Sequence, residues 1–240
     1  MLQPRACEVW RVDVSRSHEA LMGVLSTEER ARWSRLRRTE DRDRFRCAWA
    51  LVRLVLADKL DRDPAELSFH RTCRMCGKPH GKPRLAVPGH EGVDFSLSHS
   101  GDQAIAAFSA GIDVGVDIEQ VDRVVDVRTV APAVLAEREL AQLAMLGWRP
   151  ADFLTWWTRK EAVLKSTGHG LTVELPEVEV SGPHEPPHVR AVPRDLGEPS
   201  SFSLHQIDVG SGARAALAAK GKIRTLTVHD GSALLEDVPG

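Results

Sequence analysis

Two long helices, one in each half of the chain, constrain what it can fold into more than any other feature. Between Asp41 and Leu60, Phe45, Ala48, Trp49, Val52, Val55 and Leu56 recur at helical spacing, and Pro150 to Ser166 reads as a second helix with proline in its first turn. A one-sided helix must cover its apolar face, and the segments around each are short alternating runs. Strands are expected at Glu8 to Val14, Leu67 to His70, Arg84 to Val87, Asp94 to Ser98 and Ala104 to Phe108 around the first helix. Around the second they are expected at Gly115 to Glu119, Thr172 to Val180, Ser201 to Val209, Ala213 to Ala219 and Ile223 to Val228. The predicted class is therefore α+β and pseudo-duplicated in outline, without a residue-level repeat. An N-terminal lobe over 1–110 and a C-terminal lobe over 111–240 would each be a small sheet on a long helix, with a cleft between them. Ser17 to Arg38 reads as helical with a capped start at Ser26, and Val124 to Leu146 as a helix broken at Pro132. Pro183 to Pro199 reads as a loop and Ser232 to Gly240 as a loose end.

At 240 residues and 42% hydrophobic the chain can bury a substantial core. It has no run of about 18 apolar residues to span a membrane, and Met1 to Arg16 carries charges where a signal peptide needs its apolar centre, so a cytoplasmic protein is expected. The net charge of -2 argues against wholesale binding of nucleic acid, yet arginines crowd the stretch from Arg30 to Arg53. Cys73 and Cys76 form one CxxC, which with His70 and His80 could make a zinc knuckle; a second CxxC is missing, and an ordinary turn bearing two thiols is the simpler reading.

Gly115-Val116-Asp117-Ile118-Glu119 follows the apolar run Ala104 to Phe108 and a break around Gly111, and reads as a strand opposite that run. Side chains two apart share a face, so Asp117 and Glu119 lie side by side while Val116 and Ile118 turn inward. Such a pair is either an exposed strand face or a hard-oxygen site suited to Mg²⁺. Ser98-His99-Ser100-Gly101 fits a tight turn whose hydroxyls, imidazole and amides either satisfy one another or hold an anion. Trp157, Glu161 and Lys165 recur every fourth residue on one helical face, the spacing also of a plain surface ion pair.

Taken in order, Ser98-His99-Ser100, Gly115-Val-Asp-Ile-Glu119 and Trp157-Thr-Arg-Lys160-Glu161-Ala-Val-Leu-Lys165 resemble the signature of the 4'-phosphopantetheinyl transferases, in their large, pseudo-dimeric subfamily. Asp41 to Arg53, with Arg44 and Arg53 near its ends, resembles that subfamily's arginine-bearing helix, and Gly81-Lys82-Pro83 its GKP loop. The resemblance implies transfer of phosphopantetheine from coenzyme A to a serine of an acyl or peptidyl carrier protein, releasing adenosine 3',5'-bisphosphate. It further implies that Asp117, Glu119 and Glu161 hold Mg²⁺ on the pyrophosphate and that Lys165 touches the same phosphates. Arg44 and Lys82 are implied near the 3'-phosphate and Ser98 and His99 near the phosphates, with Arg32 carried over as a basic contact and Arg53, at the far end of its helix, as a further coenzyme A-binding residue. Glu161 is the expected general base, Glu119 the second choice. The chain departs from relatives at Glu29, where a basic residue is usual, and at Phe45, where others have threonine.

A monomer is expected, with coenzyme A and a carrier protein as partners and neither nucleic acid nor membrane. Two competing readings remain at this stage: a phosphohydrolase using the same carboxylates, and a zinc-knuckle module gripping nucleic acid through its arginines. The net charge of -2 disfavours the second.

Overall fold

The computed structural model describes residues 2–73, 76–79, 81–123, 126–169 and 172–239. In chain order its elements are β1 (Ala6–Asp13), α1 (Thr27–Ser34), α2 (Thr39–Leu60), β2 (Phe69–His70), β3 (Arg84–Leu85), β4 (Val93–Ser100), β5 (Gln103–Ala110) and β6 (Asp113–Gln120). They continue as α3 (Val127–Val130), α4 (Glu137–Met145), α5 (Pro150–Thr167), β7 (Glu179–Val180), β8 (Val189–Ala191), β9 (Phe202–Ile207), β10 (Ala213–Lys220), β11 (Thr225–Asp230) and α6 (Ser232–Glu236). No helix among them is long and apolar enough to cross a membrane.

Four layers result. Helix α2 lies on one face of a four-stranded sheet ordered β11-β1-β5-β4, where Ala48, Leu51, Val52 and Val55 meet Ala104, Ala106 and Phe108. The alternate residues of that sheet, Val9, Ile105 and Ala107 among them, face a second sheet ordered β6-β10-β9, whose Val116, Ile118, Ala215 and Leu217 complete the central core. Helix α5 covers the outer face of the second sheet through Phe153, Trp156 and Val163 against Ala216 and Ala218. Period-two alternation thus gives each sheet two buried faces.

The connection at Gly111, φ 79°, is not a hairpin: β5 pairs with β4 and β1, while β6 opens the second sheet against β10 with Asp117 opposite Ala216. The expected pairing of the Gly115–Glu119 strand with the Ala104–Phe108 run is therefore corrected. The alternation that places Val116 inward does so in either sheet, so pattern alone could not choose. Edge strands β4 and β6 instead meet through side chains. Val114, Val116 and Gln120 donate their backbone N–H groups to Asp94 Oδ2 (2.7 Å), Ser96 Oγ (3.1 Å) and Ser100 Oγ (3.1 Å), so these three residues of β4 each close an amide that a paired strand would have taken, while Ser98 between them bonds the Asp117 side chain.

The C-terminal end crosses back to the first sheet. Strand β11 runs parallel to β1, with Val9 opposite Val228, and α6 buries Leu235 in the core beneath α2, where a loose tail was expected. Thr172 to Val180 is likewise less regular than anticipated, a 3-10 turn at Leu175–Glu177 followed by the short β7. Ser26 caps α1 with a full capping box through Glu29, as its sequence context predicts. Pro132 divides the 126–146 stretch into α3, a 3-10 turn and α4; Val124 lies outside the described residues.

Candidate active site

Beta strand β6 and helix α5 supply the centre of the site, and a glycine sets their separation. A Cβ on Gly115 would stand 2.1 Å from Ala162 O and 2.3 Å from Ser166 N, so β6 can lie this close to α5 only with glycine here. Two and four residues further along the same face of β6 come Asp117 and Glu119; on α5 the facing residues are Glu161 and Lys165. Gly115→Ala is expected to destabilise the fold by about 1–3 kcal/mol through overpacking, and to separate the two groups of carboxylates. Chemical denaturation read beside the reaction rate checks both effects.

Asp117 is 3% exposed. Its Oδ1 accepts from Ser98 Oγ (2.8 Å) and from the Lys165 ammonium (2.6 Å), while its buried Oδ2 has no hydrogen-bond partner. Lys165 also donates to Ser98 Oγ at 3.1 Å. The pair suggested by spacing alone, Glu161 with Lys165, is thus replaced by one from α5 to β6. Glu119 Oε2 accepts from Ser100 Oγ at 2.7 Å. Glu161 is half-buried, and burial first, then Asp117 and Glu119, push its carboxyl above the usual range, with Lys165 opposing them. The three carboxylates therefore share one electrostatic environment although they come from segments far apart in sequence.

Lys160 and Glu161 are neighbours with opposite roles. The Lys160 side chain is wholly buried, paired with Glu139 and donating to Leu175 O at 3.1 Å, which fixes α5 on α4 and on the chain leading to β7. Arg159, also buried, donates to Ser181 O at 2.9 Å and Gly182 O at 2.7 Å. These inward bonds orient α5 so that Lys165 faces the cleft.

That cleft, about 530 Å³, is bounded by residues of both halves, with Arg32, Lys82, Ser96, His99, Lys165 and His169 among its lining groups. The structure thus gathers Arg32, Lys82, His99 and Lys165 around one space, with Ser98 and Asp117 bonded to Lys165 at its edge. Ser98, His99 and Ser100 lie on the last residues of β4 rather than in the turn, which is confined to Gly101 and Asp102. His99 is exposed at the surface, yet the desolvation of its surroundings, then the nearby Arg44 guanidinium, hold its pKa below the ordinary histidine value. Arg32 lies over the Phe45 ring at 5.8 Å from its centroid, so Phe45 forms part of the wall beneath a cation.

Other residues singled out in the sequence are held elsewhere. Lys82 lines the cleft with its stem, but its ammonium is bonded to Asp94 and to Val114 O (2.6 Å), pinning the GKP loop to the start of β6. Arg44 is bonded to Asp41 and to Gly101 O (3.1 Å) and lines a neighbouring depression with Arg38 and Asp122. Arg53 is not brought to the cleft centre. Its Nε and Nη2 fork onto Glu29 (2.6 and 3.1 Å) and its Nη1 donates to Leu67 O (3.1 Å), leaving the residue 1% exposed. That corrects the ligand role implied for Arg53: its donors are spent on the fold. Cys73 is buried and Cys76 exposed, His80 lies outside the described residues, and among the described residues no group of His, Cys, Asp or Glu is gathered as a metal site.

Sequence reasoning missed the even-numbered side chains of β4, Asp94, Ser96 and Ser100, which bind β6. Their polar alternation with Phe95 and Leu97 was the available signal. It also missed His169, whose buried Nδ1 has no partner among the described residues and which reads in sequence only as part of the helix stop after Gly168; Gly170 and Leu171 of that stop lie outside the described residues.

Asp117, Glu119 and Glu161 are hard-oxygen donors of the type that suits a divalent cation, and one Asp117 oxygen is buried and unpartnered among the described residues, but the three are not gathered into a formed metal site: Lys165 is the cation bonded to Asp117. Lys165, His99 and Arg32, all lining the cleft, are residue types suited to anion recognition.

Comparison with known proteins agrees in both halves. Residues 9–110 match the family described as 4'-phosphopantetheinyl transferase, N-terminal, and residues 113–218 the 4'-phosphopantetheinyl transferase superfamily. The chain is 30% identical over 219 residues to the 4'-phosphopantetheinyl transferase HetI of Nostoc sp., covering 89% of this chain and 87% of the relative. It is 27% identical over 195 residues to the 4'-phosphopantetheinyl transferase Sfp of Bacillus subtilis, covering 80% and 82%. To the L-aminoadipate-semialdehyde dehydrogenase-phosphopantetheinyl transferase of Xenopus laevis it is 29% identical over 163 residues, covering 63% and 52%.

Proposed function

The chain belongs to the 4'-phosphopantetheinyl transferase superfamily, and from that premise we propose that it moves phosphopantetheine from coenzyme A to a serine of an acyl or peptidyl carrier protein, with Mg²⁺ as its metal. The observation that carries the reading is the meeting of Asp117 and Glu119 on β6 with Glu161 and Lys165 on α5, at the edge of a cleft that also presents His99 and Arg32. We take the protein to act as a cytoplasmic monomer.

Asp117, Glu119 and Glu161 are the residues that would hold the metal. When bound, it would offset the negative charge that grows on the diphosphate as the phosphoanhydride breaks. The chain's own part is to bind and orient. Lys165 and His99 would meet the diphosphate, Ser98 would help fix Lys165 through its existing bond, and Arg32 would add a cation along the cleft wall. The acceptor serine comes from the partner, so the chain needs no nucleophile of its own.

Glu161 is the proposed base. Burial and two neighbouring acids raise its carboxyl above the ordinary range in the metal-free protein, and the family resemblance assigns it the role. It takes the proton from the serine Oγ as that oxygen bonds to the phosphorus bearing the pantetheine arm. The bond from that phosphorus to the bridging oxygen breaks, and adenosine 3',5'-bisphosphate leaves.

Intact-mass measurement of an apo-carrier protein mixed with the chain, coenzyme A and Mg²⁺ tests this. A gain equal to the phosphopantetheine group is the expected result. Free phosphopantetheine beside an unmodified carrier would instead assign the chain as a hydrolase of coenzyme A.

A further inference from the structure

The seam between β4 and β6 holds a bond that differs in kind from its neighbours. Asp94 and Ser96 each receive a backbone amide of β6, which sets the register of the strand and does no more to the carboxylates beyond it. Ser100, 7% exposed, does two things with one hydroxyl: it accepts from Gln120 N at 3.1 Å and donates to Glu119 Oε2 at 2.7 Å. A hydroxyl has one proton. Once the amide of Gln120 occupies a lone pair, that proton is free to point at the carboxylate next to it, so the backbone bond and the carboxylate bond enforce one another.

We infer that Ser100 is a positioning residue for Glu119, holding its carboxylate in the orientation a divalent ion requires; the inference rests on the reading of Glu119 as a metal ligand given above. Neighbours that orient a ligating carboxylate can change metal affinity by about 10–100-fold when removed. Ser98 acts comparably on Asp117, but Lys165 shares that duty, whereas the bond from Ser100 acts on Glu119 and on the strand that carries it.

The test is titration of Mn²⁺ into the full chain with coenzyme A present, read by loss of the free-ion electron paramagnetic signal. Ser100→Ala is expected to weaken Mn²⁺ binding at least about tenfold, and Ser100→Thr, which keeps the hydroxyl, to bind within about threefold of wild type. Ser96→Ala removes the corresponding amide acceptor without touching a carboxylate, and is expected to leave Mn²⁺ affinity unchanged. Should Ser100→Ala fail to fold, Ser100→Cys, of similar size but a weak donor, carries the same expectation. Wild-type affinity in the Ser100 variant, or an equal loss in Ser96→Ala, overturns the inference. Glu119→Gln separates the two levels: if it binds Mn²⁺ normally, the metal reading itself fails; if it loses Mn²⁺ while Ser100→Ala does not, only the role of Ser100 fails.

Discussion

Replacing Asp117 by alanine is expected to lower transfer by at least about a thousandfold while shifting the melting temperature by no more than about 4 °C. The asymmetry follows from what each oxygen of this carboxylate does. Oδ1 holds Ser98 and Lys165, and Oδ2 is buried without a partner, which is costly for the folded protein unless something binds there. Deleting the side chain removes that cost along with two hydrogen bonds. Lys165 does not become a buried orphan charge, because its side chain is 30% exposed and can turn to solvent. The stability terms therefore nearly cancel. The chemical terms do not: on the proposed function a metal ligand and the anchor of Lys165 are lost together, and several kcal/mol of charge stabilisation at about 1.4 kcal/mol per tenfold gives the stated factor. Rate and thermal unfolding measured on the same preparation check it; a variant losing activity only in proportion to lost folded protein would show Asp117 to be structural.

Arg53→Leu should behave in the opposite way. Arg53 and Glu29 are both buried, joined by two hydrogen bonds at 2.6 and 3.1 Å. Removing one partner of such a pair typically costs about 3–5 kcal/mol, because the other charge stays buried without compensation. Here the loss also reaches further, since Glu29 Oε2 receives Ser26 N in the capping box of α1 and Arg53 ties Leu67 O to α2. A fall in unfolding free energy of that size is expected in denaturant, while KM for coenzyme A in the folded enzyme stays within about threefold of wild type. The double variant Glu29→Leu with Arg53→Leu should recover much of the stability. A large rise in KM without loss of stability would restore Arg53 to the ligand site.

The contrast between these arginines and carboxylates shows what was legible in the sequence. Apolar periodicity located α2 and α5, and alternation placed Asp117 and Glu119 on one face of β6, because both patterns are local consequences of backbone geometry. Strand partners were not local. Whether β6 pairs with β5 or with β10, and whether β11 returns to β1, depends on residues about a hundred or more positions away along the chain, and both arrangements bury Val116 equally well. Charged residues were harder still. Arg44, Arg53 and Lys82 have the residue type and spacing of phosphate ligands, yet each is committed in the structure to an acid or to backbone carbonyls. Nothing in spacing says whether a guanidinium's partner is a substrate or Glu29. Lys165 was legible only in part: its helical face was plain, its bond to Asp117 across the two elements was not.

A single ion served by acids from β6 and α5 is the core of the proposed function, and the number of Mn²⁺ ions bound per chain tests it most directly. In the presence of coenzyme A, one ion per wild-type chain is predicted, with Asp117→Asn and Glu161→Gln each losing it although they alter different elements. If Glu161→Gln keeps wild-type affinity and stoichiometry, the helix contributes no ligand and the proposed centre is contradicted.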